Sequence, residues 1–244
     1  MKKLLCILLL TISYQSFAGW YQCYTYEGKL AGMNVHFYLQ LREINSKSPD
    51  SIMVSGVYKY DKHNTPISLS GYLVNKKHLS LSELSGDNEV TATLSLEWSD
   101  NKLINGTWTG NNSKRFNISL NQIGQLIDTN PKGINPATEI MMGSSFKNEY
   151  LVGVYDKLQI DNRAKMLELR IIDKKTNELK YSIDFRDHGM PVGNVMTVIF
   201  ANAYVSESAD GQSKSIEMMQ DDGRMGTEFY LNYDAASDSW VVEE

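Results

Sequence analysis

Two carboxylates stand at positions of this sequence where a charged group could do chemistry. Glu83 follows Leu79 and Leu81 at alternate spacing and so interrupts an otherwise apolar strand pattern. A second acid, Glu97, lies beside Trp98. A carboxylate on the inward face of a sheet can be a catalytic acid or a binding group. It can also mark the point where a strand reaches solvent, and the sequence leaves both interpretations open.

Aromatic side chains form the second group of candidates. Rings with a polar edge suit partner anchors and sugar-binding platforms alike. They also suit the wall of a barrel, where they would only pack against other strands. The binding residues that we predict are Tyr58, Tyr60, Tyr72, Glu83, Trp98 and Trp108.

Other chemistries lack a motif in this sequence. The four histidines (His36, His63, His78 and His188) have no zinc-binding spacing. Residues 128–139 have the outline of a calcium loop, but Lys132 stands where an oxygen ligand is needed. Neither a GxSxG elbow nor a phosphate-binding glycine pattern occurs. We therefore predict no catalytic residue, no metal and no cofactor, and a carboxylate-based enzyme using Glu83 and Glu97 is only the third hypothesis.

The elements that must position these residues are strands. From Ser51 to Leu120, apolar and polar residues alternate and then break at a turn about every ten to fourteen residues. Glycines such as Gly56 and Gly71 fall in mid-strand, which is typical of a sheet that coils. The sequence predicts an all-β fold: an N-terminal antiparallel up-and-down meander of about eight strands, barrel-like, then a second antiparallel β-sheet region. A two-sheet sandwich is the alternative for the first part.

The sequence divides into four predicted segments. We predict a signal peptide at residues 1–18, a β-meander or barrel domain at 19–121, a linker at 122–145 and a C-terminal antiparallel β domain at 146–244. The signal peptide rests on Lys2 and Lys3, an apolar stretch after them, and small residues before Gly19. We expect a periplasmic or secreted protein that is not inserted in a membrane after cleavage.

The charge of the sequence indicates a class of partner, and its cysteine content bears on disulfide formation. Residues 1–18 hold two lysines and no acid, so their removal leaves 22 basic and 29 acidic residues, a net charge of −7. An acidic chain without clustered lysines and arginines is a poor binder of nucleic acid, and its charge is more compatible with a basic protein partner. Cys23 then remains as a single cysteine, which precludes an intramolecular disulfide, and we expect it to be buried and inert.

One part of the sequence resembles a pattern of uncharacterised bacterial periplasmic or secreted proteins. It consists of the run GVYKYDKHNTPISLSGYLVNKKHLSLSE, followed by INGTWTG and an F-x-I-x-L strand. In that pattern G-x-Y-x-Y, I-x-L-x-G, L-x-L-x-E and G-x-W mark successive strands. The resemblance covers about the first half of the mature chain and implies a β-meander, without an activity.

These observations predict a non-enzymatic binding protein. Its first expected partner is a protein, as for an inhibitor or immunity protein against a cell-envelope-targeting enzyme. The alternative is a lipocalin-like barrel that binds a small molecule or glycan in its mouth or interior. An interior filled by Trp and Tyr would count against that alternative.

Overall fold

The computed structural model describes residues 21–42, 50–99, 102–127, 138–157, 164–185, 203–221 and 226–243. Their regular structure consists of antiparallel strands, so the predicted all-β fold is confirmed. None of these residues forms a helix long and apolar enough to cross a membrane.

The first eight strands form a closed barrel in which β8 pairs with β1. The predicted meander of about eight strands is therefore confirmed, and it closes into a barrel. The strands are β1 (Tyr21–Leu30), β2 (Met33–Arg42), β3 (Ser51–Tyr60), β4 (Ile67–Val74), β5 (His78–Leu84), β6 (Val90–Ser99), β7 (Lys102–Gly110) and β8 (Arg115–Ile127).

Side chains fill the barrel interior. Alternate residues of each strand point inward, as the period of two requires. Aromatic rings and leucines make up most of this core, and its larger members include Tyr24, Tyr26, Phe37, Tyr58, Leu81 and Trp98. This packing disfavours a ligand held inside the barrel.

The remaining strands form two four-stranded sheets that share one apolar core. This confirms the predicted second antiparallel region. One sheet has the order β12-β11-β10-β9 and the other β13-β14-β15-β16. Their strands are β9 (Thr138–Ser145), β10 (Glu149–Lys157), β11 (Ala164–Asp173), β12 (Leu179–Asp184), β13 (Ala203–Glu207), β14 (Lys214–Asp221), β15 (Gly226–Asp234) and β16 (Ser239–Glu243).

The segment predicted as a linker, 122–145, contains strand residues at both ends. β8 continues to Ile127, and β9 begins at Thr138. The pairing of β1 with β8 skips Ile123, which faces solvent as the extra residue of a bulge. Because a bulge interrupts alternation, this part of β8 has no clear strand signature. Residues 128–137 lie outside the described part of the chain.

The barrel packs against the sheet of β9 to β12 through the outer faces of β2 and β3. Val57 of the barrel is buried with Met141, Tyr150 and Val152. Beside them Asn64, which follows β3, bonds the Lys59 ammonium, and its amide nitrogen donates to the Lys174 carbonyl at 3.1 Å. The two regions are therefore joined by apolar and polar contacts.

Candidate functional site

Glu83 is the hydrogen-bond acceptor at the centre of a polar cluster inside the barrel. Its Oε2 atom accepts from the Tyr58 hydroxyl at 2.6 Å and from Trp108 Nε1 at 2.9 Å. Its Oε1 atom accepts from the Thr91 hydroxyl at 2.8 Å. We call Glu83 and these three donors the Glu83 site. The donors come from β3, β6 and β7, so closure of the barrel assembles the site.

All four residues lie close to one end of the barrel. Tyr58 and Trp108 are each two residues from the end of their strands, β3 and β7, and Glu83 is next to the last residue of β5. Thr91 is brought in by a bulge: Glu83 pairs with Ala92, whereas Leu84 pairs with Val90. The extra residue, Thr91, departs from the regular alternation and can reach the carboxylate.

The electrostatics of the Glu83 site are those of a carboxylate held by neutral donors. Burial, followed by the hydrogen bond to Glu83 and the charge of that carboxylate, raises the pKa of the Tyr58 phenol. Tyr58 therefore stays protonated and can donate. Among the described residues, no basic side chain forms an ion pair with Glu83. The site thus presents a carboxylate that no basic side chain of the described residues pairs with.

Two further aromatic rings pack against the donors of the Glu83 site. The Tyr60 ring meets Tyr58 edge-on at 5.6 Å, and the Trp108 ring lies 5.6 Å from that of Phe116. Phe116 is exposed, and Tyr60 and Trp108 are half-buried. We call Tyr60, Trp108 and Phe116 the aromatic rim. The exposed side chains of Met33 and Val90 lie at the same barrel end.

The structure brings together four of the six residues predicted from the sequence. Tyr58, Glu83 and Trp108 are in direct contact, and Tyr60 lies beside them. Tyr72 does not join them, because it points outward from β4 and is 52% exposed. Trp98 does not join them either, because it is buried near the opposite barrel end, 5.3 Å from the Tyr24 ring.

Sequence reasoning missed Thr91 and Phe116. Thr91 carries no signal, since its position depends on a bulge. Phe116 begins an F-x-I-x-L strand and could have been placed by its opposition to Trp108 across a short hairpin turn.

The carboxylate pair required by the enzyme hypothesis does not form. Glu83 points into the barrel, whereas Glu97 is exposed on the outer face of β6, opposite His78. Within the described ranges, no group of three or more His, Cys, Asp or Glu side chains could hold a metal ion. His188 lies outside these ranges.

A second polar feature lies on the outer face of the barrel. A groove of about 420 Å³ crosses β8, β1 and β2 and is lined by Glu27, Gly28, Lys29, Asn34, Val35, His36, Asp61, Ser119 and Asn121. Within it, His36 Nδ1 lies 2.6 Å from Asp61 Oδ1. The lining contains no aromatic ring on which a sugar could stack.

The chain has no counterpart among the proteins compared with it: neither a family model, nor a curated protein, nor a solved structure matches.

Proposed function

We propose that this chain is a secreted or periplasmic binding protein whose Glu83 site takes up a basic side chain of a partner protein. The observation that carries the proposal is the Glu83 carboxylate, held by three neutral donors at an aromatic-lined barrel end. A cation from outside would be attracted by the carboxylate, through a charge-assisted hydrogen bond.

A protein partner fits this barrel end better than a small molecule does. Met33, Val90 and Phe116 expose apolar surface at the same barrel end as the Glu83 site, and protein interfaces combine apolar anchors with a few polar contacts. The mature chain is expected to contain 22 basic and 29 acidic residues, and this net charge of −7 also favours a basic partner. The packed interior supports the same choice, since a lipocalin-like ligand would need an internal cavity.

The partner class that we propose is a basic enzyme that attacks the cell envelope, with this chain as its inhibitor or immunity protein. The proposal joins the N-terminal signal-peptide pattern to the acidic charge and the Glu83 site. An inhibitor needs no catalytic residue of its own, because a few anchoring contacts can supply much of the binding energy.

The test uses the protein exported from its full-length gene and a panel of basic peptidoglycan-cleaving enzymes: a lysozyme, an amidase and an endopeptidase. Calorimetric titration and residual enzyme activity are measured with wild type, Glu83→Gln and Glu97→Gln. We expect Glu83→Gln to weaken binding at least tenfold. We expect Glu97→Gln, which removes the same charge from an exposed position of the barrel, to bind as wild type does.

The Glu83→Gln variant should fold, because its amide can satisfy the same three partners. The amide oxygen accepts from Tyr58 and Trp108, and the amide nitrogen can donate to the Thr91 hydroxyl. Failure of every enzyme in the panel to bind would contradict the proposal. Equal binding by wild type and Glu83→Gln would contradict the assignment of the site.

A further inference from the structure

The number of hydrogen bonds at Glu83 restricts which cation the site can accept. An ionised carboxylate offers about four acceptor positions, two on each oxygen. Tyr58 and Trp108 occupy both positions on Oε2, and Thr91 occupies one on Oε1. The described protein therefore leaves one acceptor position, on Oε1.

The donors to Oε2 are fixed by packing. The Tyr58 side chain is buried, and its ring stacks on Phe37 with centroids 4.7 Å apart. The indole N–H of Trp108 can only donate, and its ring packs beside Phe116, with centroids 5.6 Å apart, and against Gly110. The Tyr58 hydroxyl oxygen and Trp108 Nε1 therefore cannot move away from Oε2, and make room there for another donor, without disturbing the packing of their rings.

Two kinds of side-chain cation make different demands on such a carboxylate. An arginine guanidinium binds best through two parallel N–H bonds, one to each oxygen. An ammonium is a compact charge that needs one acceptor and can direct its other protons to water. Aromatic faces attract both cations and also stack a planar guanidinium, so a preference for ammonium has to come from the carboxylate.

We propose that the Glu83 site selects a primary ammonium, as on a lysine side chain, over the guanidinium of an arginine. The inference rests on the proposed function, because it specifies which side chain of a protein partner enters the site.

The experiment compares two forms of each panel enzyme that wild type binds. One form is native, and in the other O-methylisourea has converted lysines to homoarginines, which keeps the positive charge but replaces ammonium with guanidinium. We expect conversion to weaken binding to wild type at least tenfold. Tyr58→Phe frees an acceptor position on Oε2, so we expect that variant to lose most of this preference.

Small cations provide an arm that needs no protein partner. n-Butylammonium and n-butylguanidinium are titrated into wild type while the Nε1–H NMR signal of Trp108, assigned with Trp108→Phe, is followed. We expect n-butylammonium to shift this signal at a concentration several-fold lower than n-butylguanidinium does, and Glu83→Gln to abolish the difference.

The outcomes separate the two proposals. Equal binding of native and converted enzyme would overturn the ammonium preference and leave the proposed function standing. The ammonium preference would also be overturned if n-butylguanidinium shifted the Trp108 signal at the same concentration as n-butylammonium or at a lower one. If no panel enzyme binds but n-butylammonium is preferred at Trp108, the proposed function fails and the preference holds. If neither cation shifts Trp108, the preference is overturned.

Discussion

At the scale of single residues, the Tyr58 hydroxyl links the barrel interior to the Glu83 site. Its ring belongs to the apolar core, whereas its oxygen donates to Glu83 Oε2 at 2.6 Å. A hydrogen bond to a charged acceptor is worth more than one between neutral groups, typically about 1.5–3 kcal/mol. Tyr58 should therefore contribute to the stability of the fold as well as to the geometry of the site.

Replacing Tyr58 by Phe tests this contribution directly. The ring is kept and only the hydroxyl is lost, so the half-buried Glu83 carboxylate retains two donors. We expect the free energy of unfolding to fall by about 2 kcal/mol, as measured by urea denaturation at pH 7. The matched control is Tyr72→Phe, whose hydroxyl lies on the exposed outer face of β4. Equal effects of the two substitutions would show that the Tyr58–Glu83 bond adds no stability.

Part of the Glu83 site could be predicted from the sequence, and there is a physical reason why the rest could not. Glu83 stands out because an acid follows Leu79 and Leu81 on the inward parity. The convergence of Tyr58 and Trp108 on it requires knowing which strands face each other across a closed barrel. Thr91 depends on a bulge between β5 and β6, which alternation alone does not reveal.

At the scale of elements, glycines allow neighbouring strands to approach closely inside the barrel. A Cβ atom on Gly71 would collide with the Ser80 carbonyl oxygen and would lie 2.9 Å from the Cα atom of Leu81. Gly71 pairs with Leu81 in the ladder of β4 and β5, so the obstruction would come from backbone rather than from a flexible side chain. The strands would have to separate at the point where the barrel coils.

We therefore expect Gly71→Ala to destabilise the barrel by about 3 kcal/mol, the upper part of the range for overpacked positions. Thermal unfolding followed by circular dichroism measures the effect. Gly86→Ala is the control, since a Cβ atom there meets nothing within 4 Å. The explanation fails if both alanine variants unfold at the wild-type temperature.

Strands with one solvent-exposed and one buried face could be predicted from the sequence, whereas strands buried on both faces could not. β6 alternates from Ala92 to Ser99, and its burial follows the sequence pattern there. β9 does not alternate, because Ile140 and Met142 face the core of the two C-terminal sheets while Met141 faces the barrel. The resulting run of apolar residues has no period of two, so the sequence pattern places it in the predicted linker.

At the scale of the whole molecule, the barrel contributes to the core of the C-terminal region. Cys23 of β1 and Leu126 of β8 belong to the cluster formed by the two C-terminal sheets. Cys23 is 1% exposed, in agreement with the expectation of a buried thiol. Since each region completes a surface of the other, we infer that they stabilise one another.

Charge also connects the two C-terminal sheets, and it makes their stability depend on pH. Glu149 of β10 is buried and accepts from Lys180 of β12 at 2.7 Å and from Lys214 of β14 at 2.8 Å. Burial by itself raises the pKa of the Glu149 carboxyl, but the hydrogen bonds from the two lysines outweigh burial. The pKa in the folded protein therefore lies below its ordinary value of 4.5.

A carboxyl whose pKa is lowered by folding stabilises the fold above its unfolded pKa and loses that contribution as the pH falls through the folded pKa. We expect Glu149→Gln to lower the free energy of unfolding at pH 7 by about 3 kcal/mol, because it leaves two lysines without their buried partner. Urea denaturation of wild type and variant at pH 7, 5, 4 and 3 should show the difference shrinking below about pH 4.5. Glu178→Gln, at an exposed position after β11, controls for the loss of one carboxylate. A difference that stays constant from pH 7 to pH 3 would mean that the Glu149 charge does not join the sheets.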